Sequence, residues 1–233
     1  MSTPMDLYAP VDLTGWKPVL RLHGITEEEI NDVSGDPNDR AGVIRREIDH
    51  ANRHVPFIYS NAVADAPDVL AWADALIAGA SGRIVKSIGH SRSLLLLGVT
   101  GVGKTHQAFG VLRYMAPLGV RLGWTAVSAV DLYAALKPRH GVDSETEFWK
   151  YAKAPLLIVD DLGAGRTPTE FTEEVNFRLV NHRYENQLPT LFTSNVVPRE
   201  LIQRVGDRVA SRLVEMCDRV VMEGEDKRRR GAA

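Results

Sequence analysis

The residues that could do chemistry fall in three clusters. Gly98-Val99-Thr100-Gly101-Val102-Gly103-Lys104-Thr105 fits the phosphate-binding pattern G-x-x-x-x-G-K-[ST]. A triphosphate needs many donors and no side chains in the way, and the three glycines let successive backbone N–H groups turn inward. Lys104 is suited to the β- and γ-phosphates, and the Thr105 hydroxyl to Mg²⁺. The second cluster is Leu156-Leu-Ile-Val-Asp160-Asp161, an apolar run ending in two carboxylates. There Asp160 is expected to hold Mg²⁺ through water, and Asp161 to orient or deprotonate an attacking water. The third is Thr190-Leu-Phe-Thr-Ser-Asn195, another apolar run with a polar tip, whose terminal amide could read the γ-phosphate or the water. The chemistry these three share is ATP binding with Mg²⁺ and transfer of the terminal phosphoryl group to water.

Such groups must be held by strands that end at one edge of a sheet. Ser93–Leu97 reads as a buried strand before the glycine loop. His106–Met115 follows as a helix, with Phe109, Leu112 and Met115 near helical spacing. Strands are also expected over 121–127, 156–161, 190–195 and 217–223, and helices over 129–137 and 143–152. A capping box at Thr167–Glu170 opens a helix running to about Gln187, and a further helix over 199–216 is interrupted near Gly206. The alternation predicts an α/β chain with a parallel sheet. Likeness to P-loop ATPases with extra strands implies that the 190–195 strand lies between the two phosphate-site strands.

The first 54 residues have a different texture. Pro4, Pro10, Pro18, Gly24, Gly35 and Pro37 punctuate them, and Thr26–Glu29 forms a capping box before a short helix through about Val33. A second helix is expected over 39–54, with Asp49 and Arg53 paired on its exposed side and His50 and His54 on solvated surface. This stretch is too small for a large core of its own, so it reads as a helical module that docks on the main domain or on a partner. Pro56 breaks the chain, and an amphipathic helix follows near 67–80, with Val69, Leu70, Ala73, Leu76 and Ile77 on one face.

Composition excludes several classes. The chain has 233 residues, 44% hydrophobic and 25% charged, with a formal charge of -2. It is not a polycation, so any nucleic-acid binding must use a local patch. Cys217 is the single cysteine, which rules out an internal disulfide, and it reads as a small core residue. No apolar run is long enough to span a membrane and no signal-peptide pattern opens the chain, so a cytoplasmic location is expected. Arg204, Arg208 and Arg212 recur at four-residue steps, which on its own describes a solvated cationic face. Lys227-Arg-Arg-Arg230 is a short basic tail, either solvated or in contact with phosphate.

Taken together, the glycine loop, Leu-Leu-Ile-Val-Asp-Asp-Leu-Gly at 156–163, Thr-Ser-Asn at 193–195 and Asp-Arg-Val-Ala-Ser-Arg-Leu at 207–213 resemble the DnaC/DnaI-type helicase loaders. The transposon helper ATPase IstB shares this AAA+ branch. The resemblance covers about residues 55–228. The segment 55–62 is similar to the family's adenine-side segment, with Ile58 where the family often has Arg, and Gly224 and Arg228 echo its C-terminal Gly-x-x-x-Arg. The resemblance implies a P-loop NTPase of AAA+ type with a parallel five-stranded sheet and no full C-terminal lid. The first 54 residues show no motif that matches the family. With them read as a helicase-docking module, three segments are expected: 1–54, the ATPase domain at 55–226 and a basic tail at 227–233. The resemblance also implies that Asn195 is a sensor, and that Arg212, assisted by Arg208, is an arginine finger acting on a neighbouring subunit. Asp161 stands where many AAA+ proteins have Glu. The implied partners are a replicative hexameric helicase of the DnaB type, single-stranded DNA and further copies of the chain assembled in ATP. Two other readings stay open: an IstB-like transposition helper working with a transposase on duplex DNA, and an ATP-gated scaffold that does not hydrolyse.

Overall fold

The computed structural model describes residues 10–32, 35–141, 143–164, 168–196 and 200–226. Thr167, Arg199, Arg228 and the basic tail at 227–230 lie outside them. The chain divides into two compact units. One is Met1–Gly89 with His106–Gly123, and the other is His90–Thr105 with Trp124–Ala233. The expected boundary after residue 54 does not coincide with this division, since residues 1–54 share a unit with 55–89 and 106–123.

The second unit holds a five-stranded parallel sheet. Its strands are β1 (Ser93–Leu97), β2 (Trp124–Ser128), β3 (Leu156–Asp160), β4 (Thr190–Ser194) and β5 (Cys217–Val221), in spatial order β2-β3-β4-β1-β5. The register pairs Leu94 with Leu191, Ile158 with Leu191 and Ser93 with Cys217. Parallel strands covered on both faces read as continuous apolar runs, and β1 and β4 are buried at all five positions. The edge strand β5 exposes Asp218 and Arg219, charges that discourage further strand pairing. Leu95, Leu97, Leu157, Val159 and Phe192 form a core with Leu132, Leu179, Val209 and Leu213 from three helices of this unit. These helices are α6 (Ala129–Leu136), α8 (Glu170–Glu185) and α10 (Asp207–Met216).

The remaining helices of this unit are α7 (Ser144–Ala152), capped by Asp143, and α9 (Leu201–Val205). Gly206, at φ 85°, separates α9 from α10, as the expected interruption required. The cap of α8 differs from expectation. Thr169 accepts from the Thr172 amide, and the Thr172 side chain reaches back to the Thr169 amide. The box formed is thus Thr169–Thr172, while the expected Thr167–Glu170 box involves Thr167, which lies outside the described residues. Cys217 opens β5, buried and unbridged, and burial pushes its thiol above the ordinary range.

In the first unit, α1 (Lys17–Leu22), α2 (Glu27–Asn31), α3 (Arg40–His54) and α4 (Pro67–Ala78) bury Trp16, Leu20, Ile30, Ile44, Ile48, Val69 and Leu76. The Thr26–Glu29 capping box is formed, and Arg53 pairs with Asp49 at 2.9 Å. The His50 and His54 rings stand 4.2 Å apart. The helix α5 (Lys104–Met115) follows the glycine loop and continues into this unit, where Phe109, Leu112 and Met115 are buried. No helix among the described residues is long and apolar enough to cross a membrane.

Candidate active site

The site begins with the loop between β1 and α5. Gly101 has φ 87° and Gly103 φ 103°, a backbone region that side-chain-bearing residues rarely adopt. Space enforces the same choice. A Cβ on Gly101 would lie 1.9 Å from the Asp226 carboxylate, and one on Gly98 would lie 2.4 Å from the Met222 carbonyl oxygen. The chain after β5 therefore runs against the loop, tied there by the Met222 amide donating to the Leu97 carbonyl at 2.7 Å.

Lys104 and Thr105 open α5, where the helix's positive end and unsatisfied N–H groups favour anions. Lys104 is only 4% exposed. Its ammonium donates to the carbonyls of Gly98 (2.8 Å) and Val99 (3.0 Å) and to Asn195 Oδ1 (2.6 Å). The Thr105 hydroxyl donates to Asp160 Oδ1 at 2.9 Å. Asp160 also accepts from the Thr193 hydroxyl at 2.6 Å. Burial raises the Asp160 pKa. The Thr193 and Thr105 hydrogen bonds and the Lys104 charge oppose that shift, and the neighbouring Asp161 charge adds to it.

Asp161 is held differently. Its φ is 57°, a left-handed conformation costing a non-glycine residue roughly 1 kcal/mol or more. Two bonds hold it there: its amide donates to Thr193 Oγ1 (2.9 Å), and its carboxylate accepts from Asn195 Nδ2 (2.7 Å). The next residues lock the tips of β3 and β4 together. Leu162 N donates to the Thr193 carbonyl (2.8 Å), and the Ser194 hydroxyl donates to the Leu162 carbonyl (2.6 Å). The turned backbone thus aims Asp160 at Thr105 and Asp161 at Asn195.

The sheet order explains why these groups meet. With β4 between β1 and β3, its tip touches both the lysine that follows β1 and the acids that end β3. One chain of hydrogen bonds runs Lys104–Asn195–Asp161, and another runs Thr105–Asp160–Thr193–Asp161. Sequence reasoning named every member except Thr193. It lies in the Thr-Ser-Asn triplet, but nothing in its type or spacing marks it as the bridge between two acids.

The donor set suits Mg²⁺. A hydroxyl and a carboxylate oxygen stand in contact, and Mg²⁺ characteristically takes one or two protein oxygens and fills its shell with phosphate and water. Among the described residues, no group of three or more His, Cys, Asp and Glu could hold a metal ion by itself. The glycine turns at Gly101 and Gly103 and the helix start at Lys104 are features that suit phosphate.

Arg208 and Arg212 are not brought to this cluster. Their guanidinium groups lie over the Phe177 ring of α8, 5.4 and 5.1 Å from its centroid, and Arg212 also faces Tyr184 at 5.7 Å. Arg212 Nη1 reaches the Arg208 carbonyl at 3.5 Å, and its Nε is buried without a hydrogen-bond partner. Arg208 is exposed and Arg212 half-buried, so the cationic face is partly laid against aromatic rings.

Residues 80–232 match the family described as IstB-like ATP binding protein. The chain is 26% identical over 158 residues to the replicative helicase loader DnaI of Bacillus subtilis (strain 168), covering 60% of this chain and 49% of that protein. It thus spans about half the length of the curated relative it matches. The crystal structure of the DnaC helicase loader is similar with a TM-score of 0.58 at 24% identity, over 72% of this chain and 100% of that one. AMPPCP-bound DnaA from Aquifex aeolicus is similar with a TM-score of 0.55 at 22% identity, over 73% of this chain and 51% of that one. At these identities the structural likeness is one of fold, that of an AAA+ P-loop NTPase core with a five-stranded parallel sheet.

Proposed function

Because the chain belongs to the IstB-like ATP-binding protein family, we propose that it is an ATP-hydrolysing replication protein of the cytoplasm that loads a DnaB-type hexameric helicase onto single-stranded DNA. Its backbone loop Gly98–Gly103 and Lys104 bind the phosphates, and Thr105 and Asp160 hold Mg²⁺. When bound, Mg²⁺ neutralises charge on the phosphate oxygens. Asp161 orients the attacking water and accepts its proton. Asn195 holds Asp161 and reports on Lys104.

The observation that carries the ATPase reading is the single amide joining lysine and acid, at 2.6 and 2.7 Å. Phosphate oxygens compete with the Gly98 and Val99 carbonyls for the Lys104 ammonium. Any movement of that ammonium is felt by Asn195, and through Asn195 by the carboxylate. Binding and the poise of the base are therefore coupled through one side chain.

The loader role draws its support from the similarity to DnaI. In this reading residues 1–54 hold the helicase, 55–226 form the ATPase and 227–233 a basic tail. ATP assembles copies of the chain, with Arg212, assisted by Arg208, contributed by one subunit to its neighbour's γ-phosphate. An arginine acting on a neighbour need not touch its own subunit's cluster, which accords with the contacts of Arg208 and Arg212 to α8. Hydrolysis then weakens the interface and releases the loader. A second reading is favoured by the family match itself: an IstB-like helper whose client is a transposase.

The test is capture of partners by the tagged chain with and without ATP, beside Lys104→Ala. Enrichment of a hexameric helicase, lost on deletion of residues 1–54, is the expected result. Enrichment of a transposase moves the protein to the second reading, and DNA alone removes the claim about the N-terminal module. Asp161→Asn separates an ATPase from an ATP-gated scaffold, since only an ATPase loses its function with its turnover.

A further inference from the structure

The first unit contains a cavity of about 400 Å³ whose lining includes none of Lys104, Thr105, Asp160, Asp161 and Asn195. Its lining includes Trp16, Asn52, Val55, Phe57 and Arg113, with Asp12 also contributing. A pocket of this size suits one or two amino-acid side chains or a small ligand.

Arg113 is its unusual feature. The residue is 4% exposed, yet among the described residues no carboxylate lies within ion-pair distance of it. One nitrogen, Nη2, donates to the Gly15 carbonyl at 2.6 Å, while Nε is buried with no hydrogen-bond partner. The guanidinium lies 4.6 Å above the Trp16 ring. That ring is itself fixed, its Nε1 donating to Asn52 Oδ1 at 2.8 Å. Burial alone draws the Arg113 pKa below the usual guanidinium value, with no acid opposing it. A buried cation whose donors are only partly used is costly and gains from an anion brought to it.

The rest of the cavity says what should carry that anion. Phe57 lines it and is 92% exposed, and the adjacent Ile58 is 81% exposed. A large apolar pair in water next to a cleft marks a surface that a macromolecule covers. A lone phosphate or acetate would satisfy Arg113 and leave Phe57 bare. The exposed Asp12 carboxylate, which accepts from the Thr14 amide at 2.8 Å, would repel a second acid and favour a donor such as a peptide N–H.

We propose that this cavity is a docking pocket for an acidic peptide segment of a partner protein, with one Asp or Glu carboxylate against Arg113 and a neighbouring large apolar side chain on Phe57. The proposal is independent of which protein supplies the segment, so it survives or fails separately from the capture experiment above.

The test is titration of the full chain with acetyl-Phe-Glu-amide, acetyl-Phe-Gln-amide and inorganic phosphate, following the indole N–H resonance of Trp16. The Glu peptide is expected to shift that resonance saturably, and the neutral Gln peptide to bind roughly tenfold more weakly or worse. Arg113→Gln should abolish the preference for the acid. Phe57→Ala, at an exposed position that leaves the fold intact, should weaken the Glu peptide several-fold and leave phosphate unaffected. Should Arg113→Gln fail to fold, the peptide pair and Phe57→Ala still decide. Equal binding of the two peptides, no saturable shift, or saturation by phosphate with none by peptide would each overturn the proposal.

Discussion

Asn195 is the residue on which the site turns, because its amide oxygen and nitrogen are committed to different partners, Lys104 and Asp161. Asn195→Ala is expected to lower ATP turnover about 100-fold, the scale on which a misplaced base is felt, while shifting ATP affinity by less than about threefold. Steady-state hydrolysis beside equilibrium nucleotide binding checks it, and an affinity loss as large as the rate loss would mean that Asn195 only supports the loop. Glu47 makes a second prediction. Its carboxylate is buried, accepts from the Leu122 amide at 3.2 Å, and is pushed up to about 7 by desolvation against the opposing charges of Arg121 and Arg46. The folded state therefore holds this proton more tightly than the unfolded chain. The stability so gained is complete below the unfolded value and is lost as pH rises through about 7, on the order of 3 kcal/mol in all. Glu47→Gln removes that dependence, so its advantage over the natural chain in urea unfolding should grow from pH 5 to pH 8. At this scale the sequence exposed the groups that lie in local motifs: Lys104, Thr105, Asp160, Asp161 and Asn195. It concealed Arg113 and Arg183. Arg183 is fully buried and donates to Thr190 Oγ1 and to the carbonyls of Tyr151, Ala152, Ala154 and Pro189. An arginine reads as surface until distant segments bring carbonyls to it, and the Gly15 oxygen that meets Arg113 is 98 positions away.

Among the elements, α5 has two tasks, the proposed phosphate binding at its first turn and packing in its middle. Gly110 is where the packing is tightest. A Cβ there would lie 2.4 Å from the Ala64 amide nitrogen and 2.5 Å from the Val63 carbonyl carbon. One turn earlier, Gln107 Oε1 accepts from the amides of Asp65 and Ala66, so the strand-like stretch before α4 is laid along the helix. Alanine is the better helix former by about 1 kcal/mol. Gly110→Ala is nevertheless expected to destabilise by about 2 kcal/mol or more, because backbone has to move. Denaturant unfolding decides the sign. Element types were legible because long apolar runs and caps are local signals, and the starts of α3 and α7 fall at the expected Asp residues. The cap of α8 was not, since Thr167 and Thr169 each precede a residue able to complete a box.

For the whole molecule, the order β2-β3-β4-β1-β5 brings the groups of the site together, and it places the 190–195 strand where the P-loop ATPase pattern leads one to expect it. The proposed assembly adds a prediction at the same scale. Arg212→Ala and Asp161→Asn subunits should each be nearly inactive alone. Mixed, they should recover part of the hydrolysis, since an intact site can then receive an intact arginine from a neighbour. No recovery over a range of mixing ratios would mean that Arg212 does not act between subunits. The same sheet order also sets how the chain must reach its fold. β1, at the centre of the site, finds its neighbours only in β4 and β5, and Thr190 meets Ser93 across 97 positions, Asp218 meets Arg92 across 126. Loop-closure entropy for such pairings is paid before any contact rewards it, so folding of this unit is governed by topology and is slow for its size. On the ribosome, the glycine loop emerges long before β3 and β4, whose tips complete the site. The loop is thus among the first segments of its unit to be synthesised, and the site it belongs to is among the last to take shape.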